Sequence, residues 1–320
     1  MTIGDIREAL RCPCPAHEKL VGEAPVLACA AADCPRGQPR FPVVGGVPAI
    51  VDFADSVIDP ARLVADAGGS VVAGRDNRLR RAVVGIAFGR NRVAAVNARR
   101  FLDALPARAD RPRHVLIVGG GAAGAGVEAI YAAPDVRVVT TDVYRSDLTD
   151  LIADGHGLPL ADGAVEGVWI QAVLEHVLEP ERVVAELWRV LAADGVVYAE
   201  TPFLQEVHEA AYDFTRFTAS GHRWLFRRFA EIDQGVVAGP GTSALWSARA
   251  LFTALFGSTR LGTAMALPFF WLRLLDRLIP PTWAADAANG VWFLGRRRTE
   301  SMTPREAIAA YRGAMGRSIT

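Results

Sequence analysis

Three stretches of the chain hold residue types whose spacing can do chemistry. In "VLIVGGGAAGAG" (115–126) four apolar residues run into glycines spaced Gly119-x-Gly121-x-x-Gly124. Glycines let the backbone approach a ligand closely, and a helix starting after such a turn favours negative charge, so a pyrophosphate or a carboxylate fits there. Asp142, at the end of the next expected strand, suits ribose hydroxyls. A second stretch, "TPFLQEVHEAAYDFTRFTASGHRWLF" (201–226), gathers His208, Tyr212, Asp213, Arg216 and His222. An imidazole such as His208, oriented by a carboxylate, can take a hydroxyl proton near neutral pH. The third stretch contains all four cysteines: Cys12 and Cys14, then Cys29 and Cys34. Two such pairs suit a tetrahedral thiolate zinc site, although the spacings x and x4 depart from the usual x2, and His17 could replace one sulfur. Reduced or disulfide-linked cysteines without metal are the alternative, and a cytosolic setting weighs against disulfides.

The elements that must position these residues follow from periodicity. "FPVVGGVPAIVDF" (41–53) reads as strand, Gly-Gly turn, strand, and closes a module over residues 1–54 that is too small to build much core without a metal. Residues 55–112 have a helical pattern and form an arginine-rich connection. From 113 the rhythm becomes strand and helix in alternation: strands at "HVLIVGGG", "VRVVTTD" (136–142), "VEGVWIQA" (165–172) and "GVVYAETP" (195–202), with helices over "AGAGVEAIYAA" and "EPERVVAELWRVL" (179–191). That alternation implies a parallel, doubly wound α/β sheet. An apolar helical insert at 243–280, broken by Pro268, precedes a last strand at 290–297. The tail 301–320 holds a surface helix starting at a Thr cap with Pro after it.

Composition bounds the function classes. The 320 residues are 51 % hydrophobic, which argues against disorder over most of the length. Basic and acidic side chains balance at 35 each, and Lys19 is the only lysine. Eleven arginines between Arg75 and Arg113 face three acids, Asp76, Asp103 and Asp110; this is a solvated helix face or, as the sharper alternative, a surface for phosphate, RNA or an anionic membrane. The start of the chain reads as no secretory leader, and "AMALPFFWL" (264–272) is too short to span a bilayer. A cytoplasmic protein, in contact with a membrane surface or not, is expected. The insert carries Trp246, Phe252, Phe256, Phe269, Phe270 and Trp271, which pack internally, form a homodimer contact or make a platform for a lipid-linked substrate.

On the glycine turn alone, NAD and S-adenosylmethionine (SAM) cannot be told apart. Residues 153–204 decide between them. The acid and "LPL", "DG", "VLEHV" and "ELWRVLAADG" resemble, in order and at family distances, the class I SAM-dependent methyltransferases, in the branch of the ubiquinone and menaquinone methyltransferases. The resemblance covers about 113–238 plus 290–297, within a SAM-binding domain at 113–300. It implies a Rossmann-like seven-stranded sheet with the last strand antiparallel. It also implies that Gly119 and Gly121 lie against the methionine part of SAM and that Asp142 holds the ribose. Asp154 would accept from the adenine amino group, the Gly155 backbone would meet the adenine edge, and Gln171 would sit beside the sulfonium. Where the family often has an acid this chain has Ile117, and where it often has its third glycine this chain has Ala123.

The cysteine pairs followed by "FPVVGGVPAIV" resemble the zinc-ribbon segment fused to many bacterial methyltransferases, and the small activator subunit of tRNA and release-factor methyltransferases. The 201–226 stretch is similar to that of methyltransferases encoded with polysaccharide and glycolipid genes. His208, His176 and Asp213 are therefore the candidate catalytic residues. The expected reaction is O-methylation of a small molecule, sugar or lipid-linked glycan. An RNA-directed methyltransferase or RNA-binding protein, a NAD-dependent oxidoreductase and a cofactor-free interaction protein are the alternatives. "IQAVLEH" in place of an Asp/Asn-Pro-Pro-aromatic run speaks against methylation of nucleobase amino groups.

Overall fold

The computed structural model describes residues 7–22, 26–37, 39–65 and 91–315. Its centre is a seven-stranded sheet in the order β10-β11-β9-β8-β5-β6-β7. These strands are β5 (Arg113–Val118), β6 (Val136–Asp142), β7 (Leu151–Ile152), β8 (Val165–Gln171), β9 (Leu191–Pro202), β10 (Phe229–Ala238) and β11 (Gly290–Arg297). All neighbours are parallel except those of β11, which runs antiparallel to both β9 and β10. This is a Rossmann-like seven-stranded sheet with its last strand antiparallel, as the resemblance implied.

The strands are near-continuous apolar runs because both faces are covered. Side chains alternate across the sheet. Leu116, Val118, Val168, Ile170 and Val197 enter one core, and Val115, Ile117, Trp169, Val196 and Tyr198 enter the other. On that second face the helix Arg92–Ala104 lies directly on the sheet. A Cβ at Gly167 would stand 2.6 Å from the Phe101 ring, so only glycine admits this approach. Phe101 meets Trp169 edge-on with centroids 5.6 Å apart, and Trp169 stacks on Tyr198 at 3.9 Å.

The amino-terminal module is a four-stranded antiparallel sheet, β1 (Leu20–Val21), β2 (Val26–Cys29), β3 (Arg40–Val44) and β4 (Val47–Pro48). The turn between β3 and β4 is made by Gly45 and Gly46, both at positive φ. The module is welded to the edge of the large sheet. Ala49 bridges Ile152, Ile50 donates its N–H to the Ile152 carbonyl at 3.0 Å, and Leu10 bridges Leu160. Its four cysteines enter the same apolar cluster as Leu116 and Leu158.

Three local outcomes differ from the sequence expectation. The helix expected over 123–133 is reduced to Glu128–Tyr131. Gly121, Gly124 and Gly126 keep the preceding residues in turns, and Gly126 lies so close to the backbone of Ala94 and Ala95 that a side chain there has no room. The insert breaks at Gly257, whose φ is +57°, into helices Pro240–Phe256 and Thr259–Ala266. Pro268 then lies near the start of a 3-10 segment, Leu267–Arg277. Strand β10 was not marked out by periodicity, because its residues are half-buried with no clean alternation. Among the described residues no helix is long and apolar enough to cross a membrane.

Much of the arginine-rich segment, Arg75 to Arg90, lies outside the described residues. Within the described part, four of its six arginines are paired with carboxylates, while Arg92 and Arg99 are exposed. Arg100 pairs with Asp233, Arg108 with Glu166 and Asp194, Arg111 with Glu166, and Arg113 with Asp135.

Candidate active site

The glycine turn leaves β5 at its carboxyl end. Gly119, at φ +75°, and Gly120 donate their N–H groups to the Thr141 carbonyl at 2.9 and 3.0 Å. Gly121 donates to Asp142 Oδ2 at 2.8 Å, and Val143 donates to Oδ1 at 2.7 Å. A Cβ at Gly121 would fall 2.7 Å from that carboxylate and 2.8 Å from the Tyr144 ring, and one at Gly124 would fall 2.5 Å from Gln171 Oε1. Burial pushes the Asp142 carboxyl above the usual range, against the backbone donors that pull it down.

Asp154 lies beyond β7. Its Oδ2 accepts from the Ser56 hydroxyl at 2.5 Å, and its Oδ1 accepts from the His156 backbone N–H at 2.9 Å and contacts His156 Nδ1 at 2.6 Å. Burial pushes this carboxyl up, but the bonds from His156 and Ser56 outweigh it and hold it below its ordinary value. A carboxylate offers about four acceptor positions, so one remains. Gly155 follows it, with Val183 at 3.3 Å from where a side chain would start.

Gln171, at the end of β8, donates weakly to Glu200 Oε1 at 3.4 Å, while its own Oε1 is buried with no hydrogen-bond partner. Glu200 also accepts from Asn91 Nδ2 at 2.5 Å and from the Tyr198 hydroxyl at 2.9 Å. Asn91 in turn caps the helix that follows it by accepting from Ala94 N–H. Burial raises the Glu200 carboxyl despite these three donors.

The segment after β9 folds back over the turn after β8. Phe214 and Thr215 donate to the Glu175 carbonyl at 2.8 and 3.2 Å, and His176 Nδ1 meets the Tyr212 carbonyl at 2.8 Å. These bonds bring the three candidate catalytic residues together. The His176 and His208 rings lie edge to face with centroids 4.9 Å apart, and His208 Nδ1 stands 3.4 Å from Asp213 Oδ2. Asp213 is held from the other side by a bidentate pair with Arg216, which keeps its carboxyl far below the usual range. Arg216 also binds the carbonyls of Gln205, Glu206 and Thr215, so it pins the loop. Burial lowers His176, and it lowers His222 to about 3. His222 is a core residue between Phe217 and Phe226, away from the cluster.

Sequence reasoning missed Glu175. It is fully buried, neither carboxylate oxygen has a hydrogen-bond partner, and burial pushes it up to about 8. Its Oε1 lies 3.6 Å from His176 Nε2 and 3.9 Å from His208 Nε2. Both imidazoles point Nδ1 at a carbonyl or carboxylate and leave Nε2 toward this carboxyl. The three donor atoms, all within 4.8 Å of one another, could share a proton or a divalent cation. Glu175 and His208 line a cavity together with Ala172, Glu200, Thr201, Pro202 and Gln205.

The four cysteine sulfurs also lie within 4.8 Å of one another, all buried and none in a disulfide. Burial raises the Cys12 thiol far above its ordinary value. His17 lies outside this group, at φ +46°, with its Nδ1 buried and without a partner.

A family described as "Methyltransferase domain" matches residues 120–199, from the glycine turn to the end region of β9. Over those residues the chain is similar to that domain. The enzyme is accordingly of the SAM-dependent methyltransferase kind, on a class I fold.

No curated protein matches the chain. Among solved structures, phosphoethanolamine N-methyltransferase 2 of Haemonchus contortus, in complex with SAM, is similar at 12 % identity over 70 % of this chain and 58 % of that one, with a TM-score of 0.44. Geranyl diphosphate C-methyltransferase of Streptomyces coelicolor is similar at 14 % identity over 75 % of this chain and 90 % of that one, with a TM-score of 0.42. The [4+2]-cyclase SpnF is similar at 17 % identity over 66 % of this chain and 81 % of that one, with a TM-score of 0.38. No substrate is carried over from likenesses this distant.

The residues of this methyltransferase fit SAM. Gln171 Oε1 is buried without a partner, Asp154 keeps an acceptor position and Asp142 is buried beside the glycine turn. Such acceptors complement the hydroxyl and amino donors and the positive charge of the cofactor, and the glycines of the turn add no side chains of their own.

Proposed function

We propose that this methyltransferase transfers a methyl group to a hydroxyl oxygen of a small molecule, sugar or lipid-linked glycan, in the cytoplasm or at a membrane surface. The observation that supports this most is a shared cavity. Gln171, on the donor side, bonds Glu200, and Glu200 lines the same cavity as His208 and Glu175.

Bound SAM supplies an electrophilic methyl group on a positive sulfur. Asp142 would receive the ribose hydroxyls, Asp154 and the Gly155 backbone the adenine, and Gly119, Gly121 and Gln171 would border the methionine end. On the acceptor side the two carboxyls of the cluster are pushed apart, which assigns their roles. Asp213 stays ionised beneath Arg216, and Glu175 is protonated at neutral pH. His208 Nε2 would take the acceptor's proton as the acceptor oxygen displaces the sulfur from the methyl carbon, the C–S bond breaking and neutral S-adenosylhomocysteine leaving with the electron pair, and Asp213 would stabilise the resulting imidazolium. His176 holds the wall of this site through its bond to Tyr212.

The experiment is incubation of the enzyme with methyl-labelled SAM and a cell extract, followed by separation of RNA, lipid and small-molecule fractions. Label is expected in the lipid or small-molecule fraction, bound through oxygen. Label confined to RNA overturns the reading.

The four gathered thiols support a structural zinc, because a buried quartet of sulfurs at this separation is stabilised as thiolates around a divalent ion. Elemental analysis of the purified protein is expected to give one zinc per chain, and chelation is expected to lower the melting temperature. A stoichiometry near zero in folded protein contradicts the metal.

A further inference from the structure

The insert does not bury what its sequence offers. Leu245 and Ala266 are its only buried cluster, and no residue of the 3-10 segment 267–277 is buried although "LPFFWLRLLDR" is mostly apolar. On the helix Pro240–Phe256, exposed residues recur at 244, 247, 251, 254 and 255, one stripe of its surface. Leu255 is 66 % exposed, Phe270 47 %, Trp271 48 % and Leu278 79 %. Exposed apolar surface on this scale, carried by adjoining helices, marks an interaction face.

The charges on this face are of one sign. Residues 240–283 contain four arginines and a single acid, Asp276. That acid is turned inward, where it caps the helix Pro240–Phe256. It accepts from the Gly241 N–H at 2.7 Å and from the Thr242 hydroxyl at 2.6 Å. Arg249 is engaged with Glu206, while Arg260 and Arg277 are exposed. An apolar and aromatic face with exposed arginines fits the boundary between lipid tails and anionic headgroups. A second copy of the chain fits less well, because a two-fold contact would set this cationic face against itself.

We propose that residues 240–283 seat the protein on an anionic membrane surface without crossing it. The face adjoins the acceptor cavity, since Glu206, the partner of Arg249, is two residues from His208. A substrate held in the lipid would be presented at the mouth of the site. The proposal does not depend on which atom is methylated.

The test is flotation of the full-length protein with vesicles of phosphatidylcholine alone, or of phosphatidylcholine and phosphatidylglycerol in equal parts. Wild type is expected to float with the mixed vesicles and much less with the neutral ones. Phe270→Glu/Trp271→Glu is expected to lower the bound fraction about tenfold while the melting temperature and the solution mass stay unchanged. If the double variant fails to fold, Leu255→Glu, at a more exposed position, is read in its place. Absence of wild-type flotation with either vesicle overturns the proposal, and equal flotation with both overturns its anionic part. A wild-type dimer by light scattering that the variants turn into monomer, without vesicle binding, assigns the face to a second copy and also overturns it.

Discussion

Replacing His208 by alanine is expected to leave S-adenosylhomocysteine affinity within about twofold of wild type and to lower methyl transfer by about 10²–10⁴-fold, the usual span for a lost general base. The neighbours of the cluster give the reason. Glu175 has neither solvent nor a hydrogen-bond partner, so it stays protonated up to about 8 and is a poor base at neutral pH. Asp213 is so strongly held by Arg216 that it is a poor base at any working pH, but it is a good counter-charge. His176 is depressed by burial and has its Nδ1 committed to Tyr212. That leaves the His208 imidazole, 3.4 Å from Asp213 and open to the cavity. The assay is labelled methyl transfer alongside calorimetric titration. Retention of about a third or more of wild-type transfer contradicts the assignment.

Asp142→Ala is expected to weaken S-adenosylhomocysteine binding at least tenfold. A hydrogen bond to a charged group contributes about 1.5–3 kcal/mol, and a factor of ten corresponds to about 1.4 kcal/mol. Two effects add here, because the carboxylate that would receive the ribose also fixes the glycine turn through Gly121 N–H at 2.8 Å. Asp142→Asn separates them. It keeps an acceptor for Gly121 but loses the charge, so its affinity should fall between wild type and alanine. Unchanged affinity in both variants would remove Asp142 from the cofactor site.

How much was legible in the sequence depended on whether a signal was local. The strands at 136–142 and 290–297 were legible from their apolar centres, Val138 and Val139 in one and Val291 to Leu294 in the other, because strands covered on both faces carry apolar residues at successive positions. The capping box at Thr303 and Glu306 was equally legible, since it is made within four consecutive residues. The helix after the glycine turn was overread. Its apolar spacing looked helical, but the approach of Gly126 to the backbone at Ala94 and Ala95 is a tertiary fact.

Glu175 and Glu200 were passed over because an acid inside an apolar run reads as an exposed position. Only the return of 208–216 onto 175–176 reveals that Glu175 is sealed. The one available signal was the adjacency of an acid and a histidine in "VLEHV". The bond from Ser56 to Asp154 spans 98 positions, and no periodicity could have announced it.

The central claim is a SAM-dependent methyltransferase whose cofactor lies between Asp142, Asp154 and Gln171. Calorimetric titration of the folded wild-type protein with S-adenosylhomocysteine tests it most directly. Saturable binding at one site per chain is predicted, weakened in Asp142→Ala. A folded wild-type protein that shows no binding would contradict the account.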